Sequence, residues 1–350
     1  MKSNYEPLGK HIRLVDYRNS EEVTSTVLGI SIDKEFMPSV ANVIGTDLSR
    51  YKLISKGLFA CNPMHVGRDE RLPIALYEKD NAAIVSPAYF MFEIIDRDVL
   101  NEEYLMMWFR RPEFDRECWF MTDGSVRGGI SWDDLCRIQL PVPPYERQLD
   151  VVESYRAITR RIAMKKEIND NLEAVLAASH SKMFFSKDTS EHSKLGALMT
   201  FGNGKSRPKT DGPIPVYGGN GVLSYTDHHN IENAVLIGRV GAYCGSVYLE
   251  QGICWVSDNA IFAKSKITKD EFFDYFLLKR LNLFNHHVGT GQQLLTQEIL
   301  NNIEVPKPVT EQIELFNRKA TSIFETIFTN SREIIRLQEL SDLLLSRLAG

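Results

Sequence analysis

Cysteine is scarce in this chain of 350 residues: five are present, and no two of them form a Cys-x-x-Cys pair. An odd number without such a pair argues against a disulfide framework and a structural zinc site, and it is typical of a reducing compartment. No apolar run approaches the roughly 18 residues that a membrane-spanning helix needs, and the first nine residues lack the apolar stretch of a signal peptide. We therefore expect a cytoplasmic protein that has no membrane contact.

Excess positive charge is also missing, because 41 Lys and Arg face 46 Asp and Glu, for a net charge of −5. The net charge is −5 for residues 1–145, +2 for 146–187, −1 for 188–310 and −1 for 311–350. A protein that binds DNA alone usually has a strongly basic region. If this chain binds DNA, other subunits are expected to neutralise much of the phosphate charge.

Several catalytic motifs are absent. Gly204-Lys205-Ser206 is similar to the end of a P-loop, but Met199 stands where that motif requires its first glycine. No Asp or Glu is followed two residues later by Lys, as in many nucleases, and Asn62-Pro63-Met64 lacks the second proline and the aromatic residue of an adenine methyltransferase motif. The adjacent histidines at 228–229 and 286–287 are not placed to face one metal ion. We expect no catalytic residue and no metal ligand.

The chain contains an internal repeat, and its best match is at a shift of 165 residues. Each copy has spaced aliphatic residues, a Pro-x-Pro and a Glu: Leu135, Ile138, Leu140-Pro141-Val142-Pro143 and Glu146 in the first, and Leu300, Ile303, Val305-Pro306-Lys307-Pro308 and Glu311 in the second. Weaker matches pair Val85-Ser86 with Val256-Ser257 and Leu8-Gly9 with Leu195-Gly196. Because a long helical pattern follows each Pro-x-Pro, we predict globular parts at 1–145 and 188–310 and helices at 146–187 and 311–350.

The two helical segments have a coiled-coil pattern, with apolar residues at alternating steps of three and four over about five heptads. Lys165 and Asn330 interrupt the pattern at the same level, as a polar layer that fixes register would. The predicted seam residues are Val151, Tyr155, Ile158, Ile162, Leu172, Leu176, Ile323, Ile327, Ile334, Leu337 and Leu344. The alternative is two independent helices, each packed on its own domain.

Connectivity predicts how such helices are arranged. A helix of about 38 residues is roughly 57 Å long, and the second helix must run back if it pairs with the first. The predicted fold class is therefore α+β (mixed α/β): two globular domains separated by two long antiparallel helices that form a coiled coil, with a pseudo-two-fold internal repeat. Strands are predicted at 23–30, 57–61, 82–92, 234–237, 245–249 and 259–262, and short helices at 101–111 and 269–283.

Glycine-rich polar segments indicate contacts with nucleic acid. One lies just upstream of each Pro-x-Pro, at residues 123–129 and 289–293, and two more lie at 202–209 and 217–221. Glycine lets a backbone approach a partner closely, Arg and Gln can bond base edges, and Lys and Arg suit phosphates. Residues 65–71 form a comparable segment that also contains two acids. An ordinary turn or solvated loop is the alternative for each segment.

The whole pattern resembles the specificity subunit of type I restriction–modification systems, over essentially the full chain. Leu140-Pro141-Val142-Pro143-Pro144-Tyr145-Glu146-Arg147-Gln148 is similar to the proline-rich entry into the conserved helix of that family. The second copy, residues 305–312, lacks the double proline and one residue. Residues 217–221 and 289–293, with Leu300 and Ile303, also resemble segments of these proteins.

The resemblance implies a non-catalytic subunit that binds double-stranded DNA. Each globular part would be a target-recognition domain that reads one half of a bipartite, asymmetric site, and the helices would set the spacer between the halves. The resemblance further implies two methyltransferase subunits, which bind S-adenosylmethionine and methylate adenine at N6, and restriction subunits with ATP and Mg in systems that have them. No cofactor is expected on this chain, and a bacterial or archaeal cytoplasm is implied.

The residues that we expect to contact DNA come from both globular parts. They are Arg68, Arg71 and Arg127 in the first, and Lys205, Arg207, Lys209, Tyr217, Asn220, Arg239, Gln292 and Gln293 in the second. Arg suits guanine, Gln and Asn suit adenine, and Lys suits phosphate. Two alternatives stay open: the specificity subunit of a related type II system that cleaves on both sides of its site, and an adaptor that binds proteins rather than DNA.

Overall fold

The computed structural model describes residues 5–40, 43, 45–64, 66–122, 128–185, 191–289 and 291–349. The chain divides into two compact units, which we call unit 1 (residues 1–163 and 334–350) and unit 2 (residues 164–333). Each unit combines one globular part with a segment of each long helix. The boundaries predicted between globular parts and helices stay a prediction.

Unit 1 contains ten strands among its described residues: β1 (Tyr5–Pro7), β2 (Ile12–Leu14), β3 (Val27–Ile30), β4 (Phe36–Pro38), β5 (Lys52–Ile54), β6 (Phe59–Cys61), β7 (Ile74–Leu76), β8 (Ala83–Val85), β9 (Phe90–Ile94) and β10 (Gln139–Pro141). Its short helices are α1 (Val66–Asp69), α2 (Glu102–Phe109), α3 (Pro112–Phe120) and α4 (Trp132–Arg137), and α5 (Tyr145–Phe185) begins in this unit. The strand orders are β4-β3-β8-β5, β2-β9-β6-β7 and β1-β10. Only β3 and β8 pair in parallel within these described sheets.

Unit 2 has a single larger sheet of order β12-β17-β15-β16-β13-β14, beside the two-stranded pair β11-β18. The strands are β11 (His192–Lys194), β12 (Met199–Asn203), β13 (Ile214–Gly218), β14 (Gly221–Thr226), β15 (Ile231–Gly238), β16 (Val247–Val256), β17 (Ala260–Ser265) and β18 (Glu304–Pro306). The helices are α6 (Leu195–Leu198), α7 (Phe272–Arg280), α8 (Gln297–Asn302) and α9 (Thr310–Ser346), the last of which ends in unit 1. As β3 does with β8, β13 pairs in parallel with β16.

The repeat seen in the sequence reappears as the same frame in both units. β1 and β10 pair antiparallel, with Tyr5 opposite Pro141, and β11 and β18 do the same, with His192 opposite Pro306. Just after each first strand, the N–H of Leu8 donates to the carbonyl of Ile138 at 2.8 Å, and the corresponding bond in unit 2 measures 2.9 Å. Since Pro disfavours a helical conformation in the residue before it, each Pro-x-Pro keeps the chain extended until the long helix begins.

The long helices run antiparallel to each other within each unit. In unit 2 the Nζ atom of Lys165 donates to Oδ1 of Asn330 at 2.8 Å and pairs with Glu333 at 2.8 Å, and Asn330 donates to Oδ1 of Asn169 at 2.9 Å. The predicted polar interruptions therefore contact each other directly. In unit 1, Val152 of α5 packs in one core cluster with Leu345 of α9. The predicted α+β fold class with antiparallel long helices is confirmed.

The predicted seam residues lie away from solvent on both helices. Ile162 and Leu176 are buried. The others are partly buried: Val151, Tyr155, Ile158, Leu172, Ile323, Ile327, Ile334, Leu337 and Leu344.

A buried amide on each long helix holds the neighbouring short helix. Gln148, fully buried, accepts from the N–H of Asn101, the N-cap residue of α2, and donates to the carbonyls of Val99 and Pro143, all at 2.9 Å. In unit 2, Asn317 of α9 has this role. Its side-chain Oδ1 accepts from the N–H of Phe273, in the first turn of α7, at 2.9 Å. A side-chain amide can satisfy donors and acceptors together, so both helix starts stay hydrogen-bonded out of water.

Replacement of Gln148 by leucine is expected to lower the free energy of unfolding by about 2–4 kcal/mol, because it leaves two carbonyls and one N–H without partners inside the protein. Urea denaturation followed by circular dichroism measures the change. Gln312, the glutamine that follows Glu311 in the second repeat, is exposed, and its replacement by leucine is the matched control, with an expected change within about 0.5 kcal/mol. Equal losses in the two variants would contradict the assigned role.

Candidate nucleic-acid interface

In unit 2, two of the segments predicted to contact DNA and the predicted residue Arg239 meet at one turn, residues 257–259, which joins β16 to β17. The N–H of Ser257 donates to the carbonyl of Tyr217 at 2.9 Å, and the N–H of Arg239 donates to that of Asn259 at 3.0 Å. The N–H of Lys205 bonds the carbonyl of Val256, just before the turn, at 3.0 Å. Residues far apart in sequence are thus gathered at one edge of the sheet.

The third predicted segment of unit 2, residues 289–293, joins this group through Arg239. The carbonyl of Arg239 accepts from the N–H of Leu295 at 2.9 Å, and the N–H of Gly241 donates to the carbonyl of Gln293 at 3.0 Å. The glycine-rich segment upstream of the second Pro-x-Pro is therefore fixed beside the strand end that carries Arg239. We call Lys205, Tyr217, Arg239, Gln293 and the 257–259 turn the unit 2 loop cluster.

Unit 1 has the same two hydrogen bonds at the matching places. The N–H of Gly67 donates to the carbonyl of Gly128 at 3.0 Å, and the N–H of Ile130 donates to that of Pro63 at 3.1 Å. Gly128 and Ile130 lie 165 residues before Gln293 and Leu295, the shift of the sequence repeat. The segment of Arg68 and the end of the glycine-rich segment 123–129 are thus brought together, although Arg127 itself lies outside the described residues.

The candidate side chains of unit 2 differ in how freely they can reach a partner. Asn220 and Gln292 are exposed, and so are the cations Lys205, Arg207 and Lys209. None of the three cations forms an ion pair with another residue in the described part of the chain. Exposed cations beside a glycine-containing loop suit contact with a phosphate backbone.

Two other candidates of unit 2 are held by the protein itself. The hydroxyl of Tyr217 donates to Oε2 of Glu250 at 2.9 Å, and burial together with the charge of Glu250 raises the pKa of that phenol above its ordinary value. Tyr217 is therefore neutral and anchored to the sheet. Arg239 is partly buried, with Nη1 of its guanidinium 3.4 Å from the carbonyl of Asp258.

In unit 1 both described candidate arginines are exposed and already paired with carboxylates. Nε of Arg68 lies 2.7 Å from Oδ1 of Asp69, and Nη1 of Arg71 lies 3.3 Å from Oδ1 of Asp33. Such exposed pairs contribute little to stability. An arriving partner with a stronger acceptor could therefore take over either arginine at small cost.

Sequence reasoning missed Tyr243, an exposed aromatic residue beside the unit 2 loop cluster. Its side chain is 51% exposed, and its backbone is fixed because its carbonyl accepts from the N–H of Ser246 at 3.1 Å. Gly241 and Gly245, which flank it, have positive φ values of 73° and 83°, so the turn has a conformation that favours glycine. The signal was available as an aromatic residue between two glycines. For the 257–259 turn, the Val256-Ser257 match to the first half was the available signal.

A family profile described as "Type I restriction modification DNA specificity domain" matches residues 187–343, which include the unit 2 loop cluster. This part of the chain is thus similar to the DNA specificity domain of type I restriction–modification systems. The resemblance drawn from the sequence is confirmed, and DNA recognition without catalysis is the role that follows from the family. No curated protein matches the chain.

Solved structures extend the likeness from the specificity domain to the full chain. The S subunit of a type I restriction–modification system from M. genitalium is 15% identical with a TM-score of 0.61, over 99% of this chain and 96% of the other. A chain from a structure of type I R-M complex assembly and conformational transition is 17% identical (TM-score 0.49; 99% and 97% covered), and the HsdS subunit from Thermoanaerobacter tengcongensis is 16% identical (TM-score 0.39; 99% and 96% covered). At 15% identity, the similarity to the M. genitalium S subunit shows the fold alone.

The described residues contain no helix long and apolar enough to pass through a lipid bilayer. Nor does this part of the chain bring together three or more His, Cys, Asp or Glu side chains in a way that could hold a metal ion.

Proposed function

We propose that this chain is the DNA-recognition subunit of a type I complex and that each unit reads one half of a bipartite, asymmetric site. The observation that carries the proposal is the duplicated pair of hydrogen bonds, Gly67–Gly128 with Ile130–Pro63 and Gly241–Gln293 with Leu295–Arg239. The frame is the same in both units, while the side chains presented on it differ. Two different half-sites would result from such an arrangement.

The long helices have a second role in this proposal: they set the spacer between the half-sites and dock two methyltransferase subunits. Apolar residues remain exposed on the helices outside the seam, at Met164, Ile168 and Val175 on α5 and at Ile335, Leu340 and Leu343 on α9. Met164 and Ile168 are four residues apart, so they share one helix face. An exposed apolar face of this kind suits contact with the helices of a partner subunit.

The partners supply all the chemistry in this scheme. The methyltransferase subunits bind S-adenosylmethionine and methylate adenine at N6, and restriction subunits, in a system that has them, use ATP and Mg. The chain itself contributes sequence choice, and the complex acts in the cytoplasm of the cell whose DNA it methylates.

Methylation mapping in cells that express the chain with its methyltransferase subunits tests the function. A bipartite methylated motif is expected. Replacement of Gln293 by alanine should relax a base position in one half of the motif and leave the other half unchanged, since a lost base contact costs about 1–3 kcal/mol. Replacement of Arg68 by alanine should act on the opposite half.

Gln139 provides the matched control, because it is exposed, lies opposite Pro7 in the β1–β10 pair and donates to the carbonyl of Arg137 at 3.0 Å. Its replacement by alanine should leave the motif unaltered. A continuous motif, or changes caused by Gln293→Ala and Arg68→Ala in the same half, would overturn the proposal that the two units read separate half-sites.

A further inference from the structure

The two globular parts differ in how their positive charges are used. Among the described residues of 5–145, nearly every Lys and Arg forms an ion pair with a carboxylate, and the exceptions are Arg50, Lys79 and Arg110. The paired cations are Lys10, Arg13, Arg18, Lys34, Lys52, Lys56, Arg68, Arg71, Arg97, Arg111, Arg116 and Arg137. Their charge is largely neutralised within the unit.

In the globular part of unit 2 the balance is reversed. Within the described residues of 191–310, three lysines pair with carboxylates: Lys264, Lys279 and Lys307. Most cations there have no carboxylate partner in the described chain, and Lys205, Arg207 and Lys209 occupy alternate positions of one exposed loop. The globular part of unit 2 thus has both a smaller excess of acids, with a net charge of −1 against −5, and more cations without a carboxylate partner among the described residues.

The basic loop of unit 2 is fixed beside the candidate interface. Gly204 packs so closely on the 257–259 turn that a Cβ atom added to it would lie 2.0 Å from the carbonyl oxygen of Ser257. Nε1 of Trp255 lies 3.4 Å from the carbonyl oxygen of Lys205. The loop therefore begins at a defined point of the loop cluster, and its three cations follow directly.

We propose that unit 2 is the phosphate anchor of this subunit: Lys205, Arg207 and Lys209 supply most of its salt-dependent contacts with the DNA backbone, whereas unit 1 contributes base contacts with little net release of counterions. The inference rests on the proposed function and assigns most of the salt-dependent phosphate contacts to unit 2. Each phosphate contact releases counterions and adds about 0.9 to the slope of log K against log salt. An arginine that leaves a protein carboxylate to contact DNA adds much less to this slope. The carboxylate that it leaves must then take up a cation from solution, which offsets the counterion released from the DNA.

The test uses the full chain purified with its methyltransferase subunits, and duplex DNA of unrelated sequence as the probe. Affinity is measured by fluorescence anisotropy over a series of KCl concentrations. Arg207→Ala/Lys209→Ala should reduce the magnitude of the slope by about 1.8, the value for two contacts at 0.9 each. The matched double variant Arg68→Ala/Arg71→Ala should leave the slope within about 0.5, and Arg207→Lys/Lys209→Arg should keep it, since charge is retained.

A second probe, a duplex that contains the methylated motif, separates this inference from the function on which it rests. If the wild-type complex does not prefer this duplex, the proposed function fails whatever the slopes are. If the preference is present, an unchanged slope in Arg207→Ala/Lys209→Ala overturns the anchor. If Arg68→Ala/Arg71→Ala reduces the slope as much as Arg207→Ala/Lys209→Ala does, the claim that unit 2 supplies most of the salt-dependent contacts is wrong.

Discussion

Replacement of Lys34 by methionine is expected to destabilise unit 1 by about 3–5 kcal/mol, because it leaves the carboxylate of Asp115 buried without its countercharge. Lys34 is 5% exposed, and its Nζ atom lies 2.6 Å from Oδ1 of Asp115 and 2.9 Å from the carbonyl oxygen of Leu72. The same Oδ1 accepts from the N–H of Leu72 at 3.0 Å. Methionine fills the space of the lysine stem, so lost packing contributes little to the expected change.

Urea denaturation of three variants separates the buried charge from other effects. In Lys34→Met/Asp115→Leu both charges are removed together, and the loss should be much smaller than in Lys34→Met alone. Lys56 pairs with Asp80 at a similar distance, 2.7 Å, but both side chains are mostly exposed, so Lys56→Met should cost less than about 1 kcal/mol. If Lys34→Met and Lys56→Met have the same effect, burial is not what makes the Lys34 pair important.

The Lys34 pair also bears on recognition, since it holds the chain next to a candidate DNA contact. Leu72, which is bonded to both members of the pair, follows Arg71 directly. Arg71 in turn pairs with Asp33, the neighbour of Lys34. A buried pair thus fixes the backbone from which an exposed and weakly held arginine extends.

Sequence patterns located the elements well where local chemistry decides them. The predicted strand 259–262 overlaps β17 at residues 260–262, and the predicted helix 101–111 contains α2. The predicted strand 82–92 is instead two elements, β8 and β9, because Pro87 follows Ser86 and the N–H of Tyr89 closes a turn onto Ser86. Residues 23–26 of another predicted strand lie outside β3, where the hydroxyl of Thr24 bonds the N–H of Thr26. Such local side-chain bonds compete with sheet pairing.

The candidate interface was predictable as segments but not as a site. Glycine and charge patterns marked the segments of Lys205, Tyr217 and Gln293, yet their meeting at and beside the 257–259 turn depends on pairing between strands that are distant in sequence. The sequence repeat did not predict every corresponding contact. Gln148 and Asn317 hydrogen-bond the starts of corresponding helices, but the 165-residue shift aligns Gln148 with Ile313 instead. Asn317 lies four residues, about one helical turn, after Ile313, so it is on the same helix face but does not align with Gln148 in the sequence repeat.

Replacement of Asp274 by asparagine is expected to stabilise unit 2 above neutral pH and to have little effect near pH 4. Asp274 lies in α7 and is 2% exposed, and its Oδ2 atom has no hydrogen-bond partner among the described residues. Burial raises its pKa from 3.8 to about 7, against a lowering hydrogen bond from Ser265, and the nearby carboxylate of Glu271 raises it further. Lys264 pairs with Glu271 at 2.7 Å, and no Lys or Arg among the described residues forms an ion pair with Asp274.

The sign of the effect follows from the direction of that shift. A carboxyl whose pKa is higher in the folded state keeps its proton there while the unfolded chain loses it, so stability falls as the pH rises from about 4 to about 7 and stays low above. Asparagine cannot ionise and avoids this loss, which is at most about 4 kcal/mol at 1.36 kcal/mol per pKa unit. Urea denaturation of wild type and Asp274→Asn near pH 4 and pH 8 measures the difference, with exposed Asp270→Asn as the control from the same loop and helix start. If the gain from Asp274→Asn is the same at both pH values, ionisation of this carboxyl does not limit the stability of unit 2.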